Sequence, residues 1–343
     1  MGLNEKFFKS ASGGDVPVGT DNFMPVIYSG NDSTRNITVG FQPDLIITKC
    51  RTTDYSHMVT DSVRGGSENL RTNTKGAKET LTTLNFQSNG YQIVWGGGSN
   101  SDSWNNADDT FVAWCWKAGG SAVSNTDGTT ASTVSANTAA GFSIVKWVGT
   151  RPTANTIGHG LGVTPQMIII KNMSISDSDW TVYAESEGAT KHGILDTSAA
   201  WGANNGAFNN VTPASSVFTV GGDAFTNGAG NNIIAYCFAN KSGYQKVGAF
   251  NGTNGAGNRI YTTDDDSSSG SGGFQPRFIL IKPTYADSWR IFDSARGNTK
   301  ELRPNTEFAE TTQTVLSFNS DGFTMTGGDA NQNPAPIVYL AIA

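Results

Sequence analysis

One eleven-residue frame occurs three times in this chain and constrains its fold more than any other feature. It reads GFQPDLIITKC at 40–50, GVTPQMIIIKN at 162–172 and GFQPRFILIKP at 273–283. In each copy Gly, Pro and Lys hold the same places around a mostly apolar run. A single catalytic site needs its residues once, whereas a repeated structural unit needs them in every copy. The frame therefore predicts a chain built from three copies of one unit.

Other markers recur in the same order and define the boundaries of the units. FVAWCW (111–116), IIAYCF (233–238) and IVYLAI (337–342) follow the three frames, and DSVRGGSENLRTNT (61–74) resembles DSARGNTKELRPNT (293–306). We place the units at 23–118, 140–240 and 243–343. Residues 119–139 between the first two are rich in Gly, Ser and Thr, which predicts an extended linker or a flexible hairpin. Residues 1–22 match no other part of the chain and are interpreted as an N-terminal arm.

Composition and turn chemistry predict an all-β protein. Charged residues make up 15% of the chain, and 41 glycines accompany many β-branched and aromatic residues. Pro43, Pro165 and Pro276 stand just before apolar runs, where a strand tolerates proline. Each unit of about 100 residues with several short strands is expected to form a β-sandwich. The predicted fold is three tandem β-sandwich repeats, jelly-roll or lectin-like, preceded by the N-terminal arm, with an immunoglobulin-like topology as the alternative.

The repeated polar residues favour structural roles. The frame lysines Lys49, Lys171 and Lys282 are interpreted as emerging from a buried strand, with the stem over the sheet edge and the charge in water. Asp61 with Arg64, and Asp293 with Arg296, are interpreted as local pairs at a turn. We therefore predict no catalytic residue among them.

The cysteines and the tryptophans in Gly-rich surroundings are weaker functional candidates. Cys115 and Cys237 share one position, which is Ala341 in the third unit, so we expect small buried side chains rather than nucleophiles. Three tryptophans in Gly-, Asn- and Ser-rich surroundings could line a sugar-binding platform: Trp95, Trp104 and Trp201.

No pattern indicates a cofactor, a metal or a nucleic-acid partner. The three cysteines and three histidines lack metal-ligand spacing, and DDDSSSGSGG (264–273) lacks the spacing of a calcium loop, which favours an exposed insertion. The formal net charge is −6, which argues against phosphate binding. No apolar run of about 18 residues is present, so we expect no membrane insertion. The N-terminus lacks the apolar region of a signal peptide, which is typical of a protein made in the cytoplasm.

With these motifs assembled, the chain resembles a known group of proteins. VIYSGNDSTRNITVGFQPDLIITK, FVAWCWKAGG, HGLGVTPQMIIIKN, IIAYCFA and VYLAIA are similar to an uncharacterised tandem-repeat domain family of virion and tail-fibre proteins of marine tailed phages, prominently cyanophages. The resemblance covers nearly the whole chain from about residue 22. It implies a structural role in a virion and brings no known catalytic residue.

We therefore expect a non-enzymatic structural protein of a tailed-phage virion, made in the host cytoplasm, that serves as a tail-fibre or appendage subunit. Phe7 and Phe8, flanked by Lys6 and Lys9, are the candidate virion anchor, through which the arm would contact other virion proteins. A host cell-surface glycan is a further expected partner, and we expect a homo-oligomer, for which a trimer is one candidate. Two alternatives stay open: a capsid or tail decoration protein, and a carbohydrate-active depolymerase.

Overall fold

The computed structural model describes residues 19–152, 154–255, 257–331 and 335–343. Most of the predicted arm 1–22, including Phe7 and Phe8, lies outside the described residues. Helix α1 (Gly19–Asn22) leads directly into the first strand.

The chain is all-β with antiparallel sheets, which confirms the prediction of fold class. We call residues 19–118, 119–240 and 241–343 the first, second and third segments, and each contains one large and one small sheet. Within the described ranges no helix is long and apolar enough to cross a membrane.

The strands follow in chain order through the three segments. The first segment contains β1 (Phe23–Ser29), β2 (Arg35–Thr38), β3 (Leu45–Cys50), β4 (Met58–Asp61), β5 (Glu68–Arg71), β6 (Glu79–Thr80), β7 (Thr83–Gln87), β8 (Gly90–Val94), helix α2 (Ser99–Asn105) and β9 (Thr110–Trp116). The second contains β10 (Val123–Asn125), β11 (Ser132–Asn137), β12 (Phe142–Val148), β13 (Asn155–Gly158), β14 (Met167–Asn172), β15 (Trp180–Ala184), β16 (Lys191–Ile194), β17 (Gly202–Ala203), α3 (Asn205–Phe208), β18 (Val217–Val220), α4 (Ala224–Asn227) and β19 (Asn232–Phe238). The third contains β20 (Gln245–Asn251), β21 (Asn258–Tyr261), β22 (Phe278–Pro283), β23 (Arg290–Asp293), β24 (Gly297–Leu302), β25 (Thr311–Thr312), β26 (Leu316–Asn319), β27 (Gly322–Met325), a 3-10 turn (Asp329–Asn331) and β28 (Pro336–Ile342).

The strand order of the large sheet recurs in all three segments. It is β1-β9-β3-β4-β5-β6 in the first, β12-β19-β14-β15-β16-β17 within the second, and β20-β28-β22-β23-β24-β25 in the third. The small sheets are β2-β8-β7, β13-β18 and β21-β27-β26. The last long strand of each segment therefore lies between its first long strand and the strand of the proline frame.

The proline frame starts its strand in the same way each time. The proline lies two residues before the strand, so its missing N–H removes no bond from the ladder. The N–H of the next residue donates to the last residue of the central strand: Asp44 to Trp116 at 2.7 Å, Gln166 to Phe238 at 2.8 Å and Arg277 to Ile342 at 2.7 Å. The interpretation of the frame as the entry to a buried strand is confirmed.

Two tight hairpin turns lie at equivalent places in the first and third segments. SNG and SDG connect β7 to β8 and β26 to β27, and the glycines Gly90 and Gly322 have φ of 152° and 151°. A Cβ atom at either glycine would lie 2.0 Å from a backbone oxygen of the neighbouring strand. Both the backbone angle and the close approach therefore require glycine.

Each large sheet buries both faces, against two different partners. In β3, Ile46 points to a core shared with the small sheet of the first segment, whereas Leu45 packs into a second core. In β9, Trp114 and Trp116 belong to the second core and Cys115 to the first, because successive side chains of a strand point to opposite faces of the sheet. The second core contains residues from all three segments, so we call it the common core.

Loops join the segments in a closed ring. We call 72–78, 195–201 and 303–310, which follow β5, β16 and β24, the first, second and third crossing loops. Each forms a backbone hydrogen bond to another segment: Lys78 N–H to Met173 O at 3.0 Å, Trp201 N–H to Thr284 O at 3.0 Å and Glu310 N–H to Arg51 O at 2.8 Å. The first segment thus contacts the second, the second contacts the third, and the third returns to the first.

Of the two alternatives for 119–139, the structure has the hairpin and not the extended linker. Strands β10 and β11 form a hairpin there, and β11 pairs with β12 along six residues, extending the second large sheet to eight strands. Val134 is buried in the core of the second segment. Backbone pairing and a few inward side chains are enough to hold this Ser/Thr-rich strand, which is why its composition resembled a linker.

Candidate functional site at the junction of the third and first segments

The three frame lysines are fully buried, so the prediction that their charges reach water is wrong. Each ammonium donates to backbone carbonyls in the loop that follows its strand. Lys49 Nζ bonds Thr53 O in the loop at 3.3 Å and also Cys50 O at the end of the strand at 2.6 Å, Lys282 Nζ bonds Asp287 O at 2.6 Å, and Lys171 Nζ bonds Ser178 O. Each lysine therefore holds this loop against the end of the sheet. The role of the lysine is structural, although its position differs from the one that the sequence predicted.

Burial shifts the titration of these lysines. Removal from water disfavours the charged form and lowers the pKa of Lys49, Lys171 and Lys282 to about 8. The three lysines, each in its own segment, thus have the same kind of electrostatic environment. The carbonyl oxygens that accept from each ammonium replace part of the lost hydration.

The Asp–Arg pairs have the local geometry that the sequence predicted. Asp61 accepts hydrogen bonds from the backbone N–H of Val63 and Arg64, and its other oxygen lies 2.5 Å from Arg64 Nε. Both side chains of this ion pair are fully buried. Asp293 and Arg296 repeat the arrangement in the third segment.

The neighbouring segment completes each Asp–Arg pair, which the sequence did not predict. Tyr236 Oη of the second segment donates to Asp61 Oδ2 at 2.8 Å, and Trp114 Nε1 of the first donates to Asp293 Oδ2 at 2.9 Å. Tyr236 and Trp114 hold the same position in their central strands, where the third segment has Leu340. In the second segment Ala184 takes the position of the aspartate, so no such ion pair forms there. Leu340 of the third segment, at the position of Tyr236 and Trp114, has no group to donate. The ion pair and its donor from the neighbouring segment are therefore absent together.

The cysteines are free and buried, as predicted. Burial raises the pKa of the Cys115 thiol, and raises that of Cys237 to about 12. A thiol with a raised pKa is a poor nucleophile at neutral pH.

Two of the three candidate tryptophans are not available as a sugar platform. Trp104 is fully buried, and Trp201 is 8% exposed and packs against Trp289 with ring centroids 6.3 Å apart. Trp95 is half-buried at the end of β8. The prediction for Trp104 and Trp201 is therefore wrong, because Trp104 packs into the core of the first segment and Trp201 into the common core.

The acidic segment 264–273 is an insertion held by its own chain. Asp264 accepts from Ser242 and Ser271, and Lys246 Nζ lies 3.1 Å from Asp266 Oδ1. The carboxylates are exposed, as predicted. Across the described residues, no group of three or more potential metal ligands is found.

The third crossing loop binds the first segment through side-chain and backbone contacts. Arg51 of the first segment binds Glu310 through two hydrogen bonds of 2.9 and 3.0 Å, and Ala309 N–H donates to Asp54 at 2.6 Å. Burial alone would raise the pKa of Glu310, but the hydrogen bond from Arg51 and the charge of Arg296 lower it below its ordinary value. These contacts hold the loop against the first segment.

Beside these contacts lies a pocket of about 140 Å³. Its lining is Glu301, Arg303, Thr306, Phe308, Ala309 and Thr311. Phe308 is 58% exposed, whereas Glu301 is buried and accepts from Arg303 Nε at 2.7 Å. The Nη groups of Arg303 have no acceptor among the described residues. An exposed ring, an open guanidinium and two hydroxyls therefore share one surface.

Sequence reasoning did not single out Phe308, although a signal was present. Aligning RTNTKGAKE (71–79) with RPNTEFAE (303–310) shows that the copies diverge at this point. The first crossing loop has Gly76 and Ala77 there, and the second ends in the buried Trp201. Of the two aligned loops, only the third crossing loop thus has an aromatic residue at this position.

The lysine environment predicts a distinct titration. Between pH about 8 and 10.5 the unfolded chain keeps protons that the folded chain has lost, so these three groups make the free energy of unfolding rise with pH in that window. A ¹³Cε lysine NMR titration should show three signals with midpoints near pH 8, and Lys171→Met should remove one of them. A spectrum in which every lysine titrates near its ordinary value would contradict the burial of these groups.

The contact between Tyr236 and Asp61 predicts a measurable loss of stability. Tyr236→Phe removes the donor from a buried carboxylate and should lower the free energy of unfolding by about 1–3 kcal/mol in urea denaturation. Tyr183→Phe is the matched control, because the Tyr183 hydroxyl makes no hydrogen bond to the described residues and its loss should cost much less. Equal losses in the two variants would show that the bond to Asp61 contributes nothing.

Comparison with known proteins identifies the family to which the chain belongs. No curated protein matches the chain. The family model described as "Domain of unknown function (DUF7483)" matches residues 18–343, which is nearly the whole chain, so the protein belongs to this family.

Proposed function

We propose that this chain is a non-enzymatic structural protein of a tailed-phage virion, most simply a tail-fibre or appendage subunit that contacts the host surface. In this proposal the three segments are tandem β-sandwich repeats of the jelly-roll or lectin-like type, preceded by the N-terminal arm 1–22. The virion assignment rests on the sequence resemblance given above.

One observation supports the structural role most directly. The polar side chains that recur in the copies are bonded to the chain itself: the frame lysines to loop carbonyls, and the aspartates to arginine and to the next segment. Groups held in this way stabilise the ring of segments. The surface features that differ between copies, such as the pocket at Phe308, are then the parts that distinguish partners.

The pocket has the chemistry of a weak saccharide site. A sugar ring offers an apolar C–H face, which an exposed aromatic ring such as Phe308 can cover, and hydroxyls, which Arg303 and Thr311 can bind. One such contact gives low affinity for a glycan, but several copies on one particle bind the same surface together, and this raises the overall affinity of the particle. Assembly as a homo-oligomer, with a trimer as one candidate, would supply those copies.

Deletion of residues 1–22 tests the attachment to the particle. We propose that Phe7 and Phe8 insert into another virion protein, so the truncated chain should fold but no longer enter particles. The measurement is immunoblotting of purified virions beside circular dichroism of the isolated protein. Particles that still contain the truncated chain would place the anchor elsewhere.

Phe308→Ala tests the contact with the host. Loss of a central aromatic contact costs about 2 kcal/mol, so binding of the purified protein to host cells should fall at least about tenfold. Val211→Ala in the second segment is the control, since Val211 is 43% exposed and lies outside the pocket. Equal binding by the wild type and Phe308→Ala would remove the pocket from the proposal.

Two further measurements separate the alternative roles. Immunogold labelling of the head would favour a decoration protein over a tail fibre. Release of reducing ends from host polysaccharide would favour a depolymerase and would contradict the non-enzymatic proposal.

A further inference from the structure

A cavity of about 50 Å³ lies in the common core. All three segments contribute to its lining, which includes Ile47 and Val59 of the first, Ile169 and Phe238 of the second, and Leu280 of the third. Ile47, Ile169 and Leu280 hold the same position in the three proline frames. The cavity therefore marks the place where the three large sheets meet.

The wall of this cavity is entirely apolar. The polar atoms of three lining residues are bonded elsewhere: Tyr236 Oη to Asp61 at 2.8 Å, Thr72 Oγ1 to Pro304 O at 2.6 Å and Trp180 Nε1 to Arg71 O at 2.9 Å. A fourth lining residue, Trp116, has a buried Nε1 with no acceptor among the described residues, but one donor falls short of the two to four polar partners that a buried water needs. Water is therefore a poor occupant.

The void has a physical origin in the arrangement of the segments. Three sheets that meet around one centre must fill it with side chains of fixed length, and the copies place different residues there. Trp116 and Phe238 are large, whereas the third segment has Ile342 at the same position. Atoms that line a void lose dispersion contacts on one side, so an apolar guest of the right size gains them.

We propose that this cavity is a binding site for a small apolar molecule. An apolar cavity of roughly 150 Å³ in another protein stays dry and binds benzene or xenon. The cavity here is about a third of that volume, so it fits a xenon atom or an alkane of about two carbons and excludes benzene. This site is independent of the pocket at Phe308 and of the proposed virion role.

Xenon is the probe for the test. Crystals of the full chain are pressurised with xenon, and methyl signals of the same protein are followed by ¹³C NMR in solution under xenon. We expect one xenon peak in the cavity, together with shifts of the Ile47, Ile169 and Leu280 methyl groups. Ordered water in the cavity, or no xenon there at saturating pressure, would overturn the proposal.

Conservative variants show whether the guest occupies this space. Val59→Ile adds a methylene to the wall and should reduce xenon occupancy severalfold, whereas Ile169→Val removes one and should increase it. Ile46→Val is the matched control, because Ile46 lies in the core of the first segment outside the cavity and the change should leave occupancy the same. If xenon occupancy is the same in the wild type, Val59→Ile and Ile169→Val, the assignment to this cavity is overturned, even if xenon binds elsewhere.

Discussion

The structure depends on the burial of both faces of each large sheet. One face packs on the small sheet of its own segment, and the other enters the common core. Apolar area removed from water stabilises a fold by about 25 cal/mol per Å², so a sheet that lost its neighbours would expose a face carrying Trp114, Trp116 or Phe238. The three segments thus stabilise one another, and the crossing loops close the ring that they form.

The common core also explains the polar groups at its edges. A charge beside an apolar core is costly unless it is hydrogen-bonded, and the structure meets this condition in two ways. Lys49, Lys171 and Lys282 bind carbonyls within their own segments, whereas Asp61 and Asp293 receive a donor from the next segment. The second arrangement links a local turn to the packing of two segments, so it also specifies how they fit together.

Much of the fold could be predicted from the sequence because the repeated pattern is local. The proline before each strand, the glycines of the hairpins and the alternation in FVAWCW all depend on neighbouring residues, and the role of the proline was predicted correctly. The interpretation of Lys49 and its equivalents was wrong because exposure of a long side chain depends on the loop that covers it. The hairpin at 123–137 resembled a linker because its stability comes from pairing with β12, which no local pattern records. Phe308 was missed because the divergence between the first and third crossing loops does not by itself show that its ring is exposed.

The amino-acid sequence by itself determined that the chain is all-β, that one pattern is written three times, and where each buried strand begins. Those properties follow from backbone geometry and from side-chain alternation over a few residues. Only the tertiary structure decided that the three copies share a core, that their lysines are buried, and that the pocket of the third segment lies beside its contact with the first. Each of these depends on contacts between residues far apart in the chain, and such contacts leave no periodic signal in the sequence.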